Sequence, residues 1–157
     1  MKSPAELTDL FRARGLRITP QRQCIFRALH GNGEHPTAEA VYEHVREEMP
    51  AISLRTVYQT LNDLASMGEL SQLDLGTGSG RFDPNLDPHH HLVCERCGTV
   101  HDVYVDFTDV RVPDDHHLGF RVSSTEIVFR GCCADCATAG EATLTIDPAR
   151  GDTEAHA

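Results

Sequence analysis

The chain has 157 residues, a formal net charge of −10 and 39% hydrophobic residues, which is enough for one ordinary domain or two small ones. No stretch approaches the roughly 18 consecutive apolar residues of a membrane-spanning helix, and the first residues lack the apolar core of a secretion signal. These features exclude an integral membrane protein, and we expect a soluble, cytoplasmic one with no membrane partner.

The negative charge is unevenly distributed along the sequence. Residues 1–82 hold nine basic and ten acidic residues, whereas residues 83–157 hold five basic and 14 acidic ones. Affinity for duplex DNA comes largely from Lys and Arg that neutralise phosphates, so a DNA-binding surface has to lie in the first half. The asymmetry indicates two modules with different partners.

Capping signals predict helices in the first half. Ser3-Pro4-Ala5-Glu6 is a capping box with proline at the first helical position, and it predicts a helix near residues 4–14. Thr19-Pro20 begins a second helix near residues 20–30 in the same way. Thr37 caps a third helix, which Pro50 ends.

A fourth helix, capped by Ser53, has two contrasting faces, followed by a hairpin at Leu70–Leu75 and Arg81-Phe82. Its apolar stripe is Val57, Leu61 and Leu64. This order predicts a winged helix-turn-helix, in which the fourth helix meets base edges; the alternative is a merely solvated polar face. The predicted base contacts are Arg55, Tyr58, Gln59 and Asn62, and the predicted phosphate or minor-groove contacts are Arg17 and Arg22.

Two prolines in Asp83-Pro84-Asn85-Leu86-Asp87-Pro88 predict a stiff hinge. Strands are predicted at 89–94, 99–105 and 120–130, with a short helix at Pro113-Asp114-Asp115. The small, acidic segment from residue 137 lacks periodicity, which predicts disorder.

Two CxxC pairs predict a structural zinc site, since this spacing lets two thiolates bind one tetrahedral ion. Gly98 suits the tight turn of a zinc knuckle. Four thiolates leave no open position, so this zinc would stabilise the fold and catalyse nothing. A redox CxxC is the competing interpretation, Cys132 is an alternative ligand, and Cys24 is predicted to be a core residue. The predicted ligands are Cys94, Cys97, Cys133 and Cys136.

A second cluster combines histidines and aspartates. His89 and His91 lie two apart on a predicted strand and face the same way, and Asp102 lies on the following strand. With His35 and Asp83 they form a mixed nitrogen and oxygen set that suits Fe(II) or Mn(II), although zinc could also bind. Taken singly, His35 suits a solvated loop and Asp83 a turn, and this alternative stays open here.

With these motifs in this order, the chain resembles the ferric uptake regulator family. The matching segments are GLRITPQR at 15–22, ISLRTVYQTLNDL at 52–64, RFDPNLDPHHHLVCERCG at 81–98 and CADC at 133–136. The resemblance implies a homodimeric transcriptional repressor that binds a palindromic operator in double-stranded DNA. It puts the regulatory metal on the five histidines and aspartates above. Asp at positions 83 and 102 resembles the peroxide-sensing PerR branch of the family. In the iron-sensing branch, Glu is usual at these positions.

The resemblance therefore implies a non-enzymatic repressor in which Fe(II) chemistry oxidises His35 or His89. An iron- or manganese-responsive repressor without peroxide sensing is one alternative, and a metalloenzyme using the His/Asp site is another. A further metal site of some relatives is expected to be absent or altered, because its positions hold Pro88, His90 and Thr125.

The complete expectation is an α+β protein. Residues 1–82 form a winged-helix DNA-binding domain and residues 83–88 a hinge. A small α/β dimerisation domain with the structural zinc occupies residues 89–136, and a disordered tail residues 137–157.

Overall fold

The computed structural model describes residues 1–76, 78–107, 110–113, 116 and 118–139. Four helices open the chain: α1 Pro4–Ala13, α2 Pro20–Leu29, α3 Ala38–Glu48 and α4 Leu54–Ser66. They are followed by β1 Ser71–Leu73, β2 Arg81–Asp83, β3 His90–Cys94, β4 Val100–Val103, β5 Val128–Gly131 and α5 Ala134–Thr138. The α+β class is therefore confirmed.

Each of the first four helices begins at its predicted cap. In every case the cap side-chain oxygen accepts a hydrogen bond from the main-chain N–H three residues further on, which satisfies a donor that the helix itself cannot. At the first helix, the Glu6 carboxylate also accepts a hydrogen bond from the main-chain N–H of Ser3, which completes the capping box. The caps are Ser3, Thr19, Thr37 and Ser53.

The helices enclose one hydrophobic core. Leu61 and its stripe partners on α4 are fully buried, and the rings of Phe11 and Phe26 meet edge to face with centroids 4.9 Å apart. Phe82 of β2 enters the same core, so the wing is attached to the helices. Cys24 is 3% exposed within it, as predicted.

The strands form two small sheets. β1 and β2 pair antiparallel as the wing hairpin, while the second sheet has the order β4-β3-β5 with β5 parallel to β3. Leu75, at the end of the wing strand, is buried against Val93 and Val100 of the second sheet. The wing therefore contacts both cores.

Two predictions for the second half are wrong in detail. The predicted strand at 120–130 begins only at Val128, because β3 begins at His90 and its ladder with β5 starts at the pair His91–Val128. Residues 137–139 of the predicted tail belong to α5 and its cap, a helix too short to show periodicity. Residues 114–115 of the predicted short helix and residues 140–157 lie outside the described residues.

None of the helices within the described ranges combines the length and hydrophobicity needed to cross a bilayer.

The buried stripe on α4 gives a direct test of the fold. Leu61→Ala should lower the free energy of unfolding by about 2–5 kcal/mol, because the truncation leaves a cavity in a fully buried position. Asn62→Ala, on the exposed face one residue further on, should change it by less than about 0.5 kcal/mol. Urea unfolding of the zinc-containing protein measures both, and equal losses would contradict this packing.

Candidate metal centres

The four cysteines of the two CxxC pairs come together at one end of the second sheet. Cys94 ends β3, Cys97 follows in the knuckle, and Cys133 and Cys136 lie at the start of α5. Their sulfur atoms all lie within 4.8 Å of one another. Gly98 has a φ of +73°, the left-handed conformation that the tight turn requires. Cys132 is outside the cluster, and its thiol approaches the carbonyl of Cys133.

The sulfur spacing suits a tetrahedral zinc ion. Cys97 Sγ and Cys133 Sγ are 3.7 Å apart, and Zn–S bonds near 2.3 Å in a tetrahedron place sulfur atoms about 3.8 Å apart. Main-chain N–H groups, that of Cys133 first, lower the pKa of Cys94 to about 5. Crowding by Cys133 and Cys97 raises the pKa of Cys136 to about 12. Without an ion, the four thiols therefore cannot all ionise together. A divalent cation makes this possible, because it binds all four sulfurs as thiolates.

The second cluster draws its side chains from three separate parts of the fold. His35 lies in the loop between α2 and α3, and Asp83 ends β2 in the wing. His89 and His91 flank the start of β3, and Asp102 lies on β4 opposite His91. His35, Asp83 and His91 are buried, so the solvated-loop alternative for His35 is wrong. Asp83 does form a turn, because its Oδ1 accepts a hydrogen bond from Asn85 N at 2.7 Å, and it also faces the cluster.

The ligand atoms of this cluster converge on a common point. His35 Nε2 lies 2.8 Å from Asp102 Oδ1 and 3.7 Å from Asp83 Oδ1. His89 Nε2 lies 3.0 Å from Asp83 Oδ2 and 3.0 Å from His91 Nε2. Ligands 2.0–2.2 Å from one ion are about 3 Å apart when adjacent and about 4 Å when opposite, so these separations fit one ion.

Proton positions explain why the arrangement needs a cation. His89 Nδ1 lies 2.6 Å from the carbonyl of Asp87 and His91 Nδ1 2.7 Å from Glu126 Oε1, and both oxygens accept. Each Nδ1 is therefore the donor, and the neutral ring bears its lone pair on Nε2. The two lone pairs face each other at 3.0 Å, beside two carboxylates.

Several buried atoms of this cluster have no hydrogen-bond partner among the described residues. They are both ring nitrogens of His35, Asp83 Oδ2 and Asp102 Oδ1. The 2.8 Å approach of His35 to Asp102 does not contradict this, since the angles are not those of a hydrogen bond. Burial lowers the pKa of His35, which favours the neutral, metal-binding form of the ring. Buried polar atoms are normally paired, so these orphan atoms indicate an ion.

The backbone of His35 is also unusual. Its φ is +50°, a conformation that a side chain other than glycine adopts only at a cost of roughly 1–2 kcal/mol. Pro36 follows, and its carbonyl accepts a hydrogen bond from Phe82 N that ties the loop to β2. Strain held in place by the surrounding structure is typical of functional positions.

Three supporting residues were not predicted from the sequence. Asn85 Nδ2 donates to Asp102 Oδ2 at 2.6 Å, and Tyr104 OH donates to the same oxygen at 3.0 Å. Glu126 orients His91. Burial opposes the ionisation of Asp102, but the hydrogen bonds from Asn85 and Tyr104 outweigh it and lower its pKa. Such partners fix ligand orientation. Sequence spacing carries no signal for them, since Glu126 reaches His91 only through the β3–β5 pairing.

Some relatives have a further metal site, and one of its positions here, His90, makes other contacts. His90 Nδ1 accepts a hydrogen bond from Ile127 N at 3.2 Å, and its ring lies 5.2 Å from that of Phe107. A cavity of about 670 Å³ runs past Pro88, His90 and Thr125 and borders Asp83 and His89 of the His/Asp cluster. It gives small molecules a route to that cluster.

The predicted DNA contacts differ in their availability. Arg17 and the predicted base contacts on α4 are exposed. Tyr58 OH donates to Glu39 Oε1 of α3 at 2.6 Å. Arg22 instead lies over the Phe11 ring and donates to Asp63 at 2.6 Å, so its guanidinium is engaged within the fold. The exposed residues of α4 are Arg55, Tyr58, Gln59 and Asn62.

A winged helix joined to a sheet, with one thiolate cluster and one His/Asp cluster at the junction, defines a metal-binding regulator. The model of the ferric uptake regulator family matches residues 13–130, and the chain belongs to that family.

Known relatives cover most of the chain. It is 36% identical over 130 residues to the peroxide-responsive repressor PerR of Staphylococcus epidermidis, covering 82% of this chain and 87% of that protein. PerR from Streptococcus pyogenes is 28% identical, with a TM-score of 0.50 and coverage of 87% and 94%. The Helicobacter pylori ferric uptake regulator, 21% identical, shares the fold with a TM-score of 0.69 and coverage of 85% and 90%. The resemblance to this family and to PerR is therefore confirmed.

Two substitutions of His35 separate its role as a metal ligand from its backbone strain. His35→Ala and His35→Gly should weaken Mn(II) binding equally, because each removes the same ligand atom. Without Mn(II), the glycine variant should be more stable to unfolding by about 1 kcal/mol, since glycine adopts a positive φ without strain.

Isothermal titration with Mn(II) and urea unfolding of the zinc-containing protein measure these effects. An alanine variant as stable as the glycine one would show that His35 is not strained.

Proposed function

We propose that this protein is a metal-dependent transcriptional repressor that binds a palindromic operator as a homodimer and senses peroxide through oxidation of a ligand histidine. The observation that carries the proposal is the convergence of His35, Asp83, His89 and His91 from separate elements, with Asp102 Oδ1 2.8 Å from His35 Nε2 and 3.6 Å from His89 Nε2. The four cysteines hold the structural zinc, and Fe(II) or Mn(II) occupies the His/Asp site.

The switch follows from where the ligands are attached. Residues 1–82 form the DNA-binding domain, residues 83–88 the hinge and residues 89–136 the dimerisation domain. His35 comes from the DNA-binding domain and Asp83 from the hinge, while His89, His91 and Asp102 come from the dimerisation domain. An ion that binds all five favours the one domain orientation in which they meet, by its differential affinity for that state. In a symmetric dimer this orientation sets the two α4 helices for half-sites about 34 Å apart.

Exposed apolar residues on the second sheet support a dimer. Leu92 of β3 and Phe129 of β5 are register partners, and they are 45% and 37% exposed. Phe120, which precedes β5, is 76% exposed. Neighbouring exposed apolar residues such as Leu92 and Phe129 are typical of a protein interface, and a second copy of the chain would cover them.

The ligand set supports peroxide sensing. His35, Asp83, His89, His91 and Asp102 would hold the ion, and the cavity beside His89 would give hydrogen peroxide access to it. Fe(II) held there would supply the redox chemistry by which one oxygen atom passes from peroxide to an imidazole carbon with release of water. His35 and His89 are the candidates, and the Nε2 of each lies beside an aspartate oxygen of the site. Oxidation of either ring removes a ligand and unlocks the hinge. The likeness to PerR proteins supports this assignment.

DNA binding with each metal tests the proposal. A palindromic duplex is first selected from a random pool with the Mn(II)-loaded protein. Affinity for it should be high with Mn(II) or Fe(II) and low without either. Brief anaerobic peroxide treatment should abolish binding by the Fe(II) form alone, with one oxygen atom added to the peptide of His35 or His89. Fluorescence anisotropy and peptide mass spectrometry are the measurements.

The matched control is the adjacent histidine. His89→Ala should lose metal-dependent DNA binding, whereas His90→Ala should retain it, because His90 faces away from the cluster. Metal-dependent binding without any oxidised peptide would leave an iron- or manganese-responsive repressor and remove peroxide sensing. DNA binding that ignores both metals would reject the switch itself, and turnover of a substrate at the site would favour a metalloenzyme.

The Tyr58–Glu39 hydrogen bond generates a separate prediction about operator recognition. The bond fixes the Tyr58 ring on the exposed face of α4, where it can pack against a thymine methyl group. Glu39→Ala should lower operator affinity by about 1 kcal/mol, roughly fivefold, because the ring loses its anchor. Glu39→Gln keeps an acceptor and should lose less.

Tyr58→Phe removes the donor, so its effect and that of Glu39→Ala should not add in the double variant. Additive losses in operator affinity would mean that Glu39 acts on DNA binding independently of Tyr58.

A further inference from the structure

Arg81, the first residue of β2, joins the two metal centres through a single side chain. Its Nη1 donates to the main-chain carbonyl of His35 at 2.9 Å, and its Nη2 donates to the carbonyl of Gly98 at 2.6 Å. Both hydrogen bonds are partly shielded from solvent. One acceptor belongs to a ligand of the His/Asp site, and the other follows Cys97 in the zinc knuckle.

The His35 end of this link matters because little else fixes that residue. Both ring nitrogens of His35 lack a hydrogen-bond partner among the described residues, so no side-chain contact of that kind orients the ring. The ring is therefore aimed by the backbone, which has a φ of +50°. Arg81 holds the carbonyl of that strained unit, and the neighbouring pairing of Thr37 with Arg81 fixes the loop to β2.

The Gly98 end is part of the knuckle itself. Gly98 N donates to the carbonyl of Cys94 at 2.8 Å, so its peptide closes the turn that carries Cys94 and Cys97. Opening the knuckle would move the Gly98 carbonyl away from Arg81. A guanidinium has donors in a rigid planar fork, so a shift at one acceptor changes the geometry at the other.

We propose that Arg81 is a positioning residue that couples the two sites, so that a formed zinc knuckle strengthens metal binding at His35 and metal binding there protects the knuckle. This inference rests on the proposed metal switch. Reciprocity follows from linkage, since coupling between two binding sites acts equally in both directions. Typical couplings change affinity by roughly 5- to 150-fold.

The experiment measures knuckle protection directly, using zinc-containing protein and Mn(II) as the probe. The rate of iodoacetamide labelling of the peptide bearing Cys94 and Cys97 is followed by mass spectrometry, with and without saturating Mn(II). Mn(II) affinity is measured by isothermal titration. In the wild-type protein, Mn(II) should slow labelling at least fivefold. In Arg81→Met this slowing should disappear, and Mn(II) affinity should fall at least fivefold.

Two further variants keep the test specific. Arg81→Lys retains the charge but not the planar fork, and it should lose most of the protection even if Arg81→Met folds poorly; zinc content and thermal unfolding check folding. Arg130→Ala is the matched control. Arg130 Nη1 donates to the Leu75 carbonyl at 2.7 Å, which links β5 to the wing without touching either metal cluster. It should retain the full effect of Mn(II).

The outcomes separate this inference from the proposed function. If Mn(II) binds and slows labelling equally in wild-type protein and both Arg81 variants, the coupling role is overturned and the switch stands. If Arg130→Ala loses protection as Arg81→Lys does, general loosening of the wing explains the effect and the role is again overturned. If wild-type protein does not bind Mn(II), the switch and the coupling both fail.

Discussion

The arrangement of this molecule depends on the mutual repulsion of electron-rich atoms held together in a buried site. Two imidazole Nε2 atoms 3.0 Å apart, next to carboxylate oxygens at similar distances, require positive charge from a metal ion or a proton in a low-dielectric interior. The fold nevertheless brings them there and accepts a strained residue at position 35. A cation therefore determines whether this conformation is favourable, which is the physical requirement for a switch.

The two centres differ in what each can control. The thiolate ligands all lie between residues 94 and 136, so their ion directly holds only the second half of the chain together, and its link to the first half runs through Arg81. Four thiolates also close the coordination shell and bind zinc tightly, which suits a permanent role. The His/Asp ligands span residues 35 to 102 and use harder donors, which bind Fe(II) or Mn(II) more weakly and reversibly. The type and position of the ligands thus suit the thiolate site to a permanent structural ion and the His/Asp site to a reversible, regulatory one.

Local signals accounted for the parts of the fold that depend on neighbouring residues. Ser53 and Thr37 cap their helices through hydrogen bonds three residues away, and the CxxC spacing brings paired thiols together, so both could be predicted. The burial of His35 could not, because it depends on β2 reaching the loop through Phe82 and Pro36, which are distant in sequence. The hydrogen bond from Arg22 to Asp63 could not be predicted either, because the two residues are 41 positions apart in the sequence. The strand predicted at 120–130 has the right composition, but its pairing with β3 begins only at Val128, and composition cannot show where a distant partner strand starts.

The negative charge of the second half adds an electrostatic contribution to the proposed metal switch. Residues 83–157 contain nine more acidic than basic residues, and this half is repelled by DNA phosphates wherever the two approach within a screening length of about 8–10 Å. DNA affinity therefore depends on how far the domain orientation keeps the acidic half from the duplex, as well as on the spacing of the α4 helices. Under the proposed function, a divalent ion at the hinge would fix that orientation and would also neutralise Asp83 and Asp102. For so acidic a protein, holding the two halves in one orientation would then itself be a condition for binding DNA.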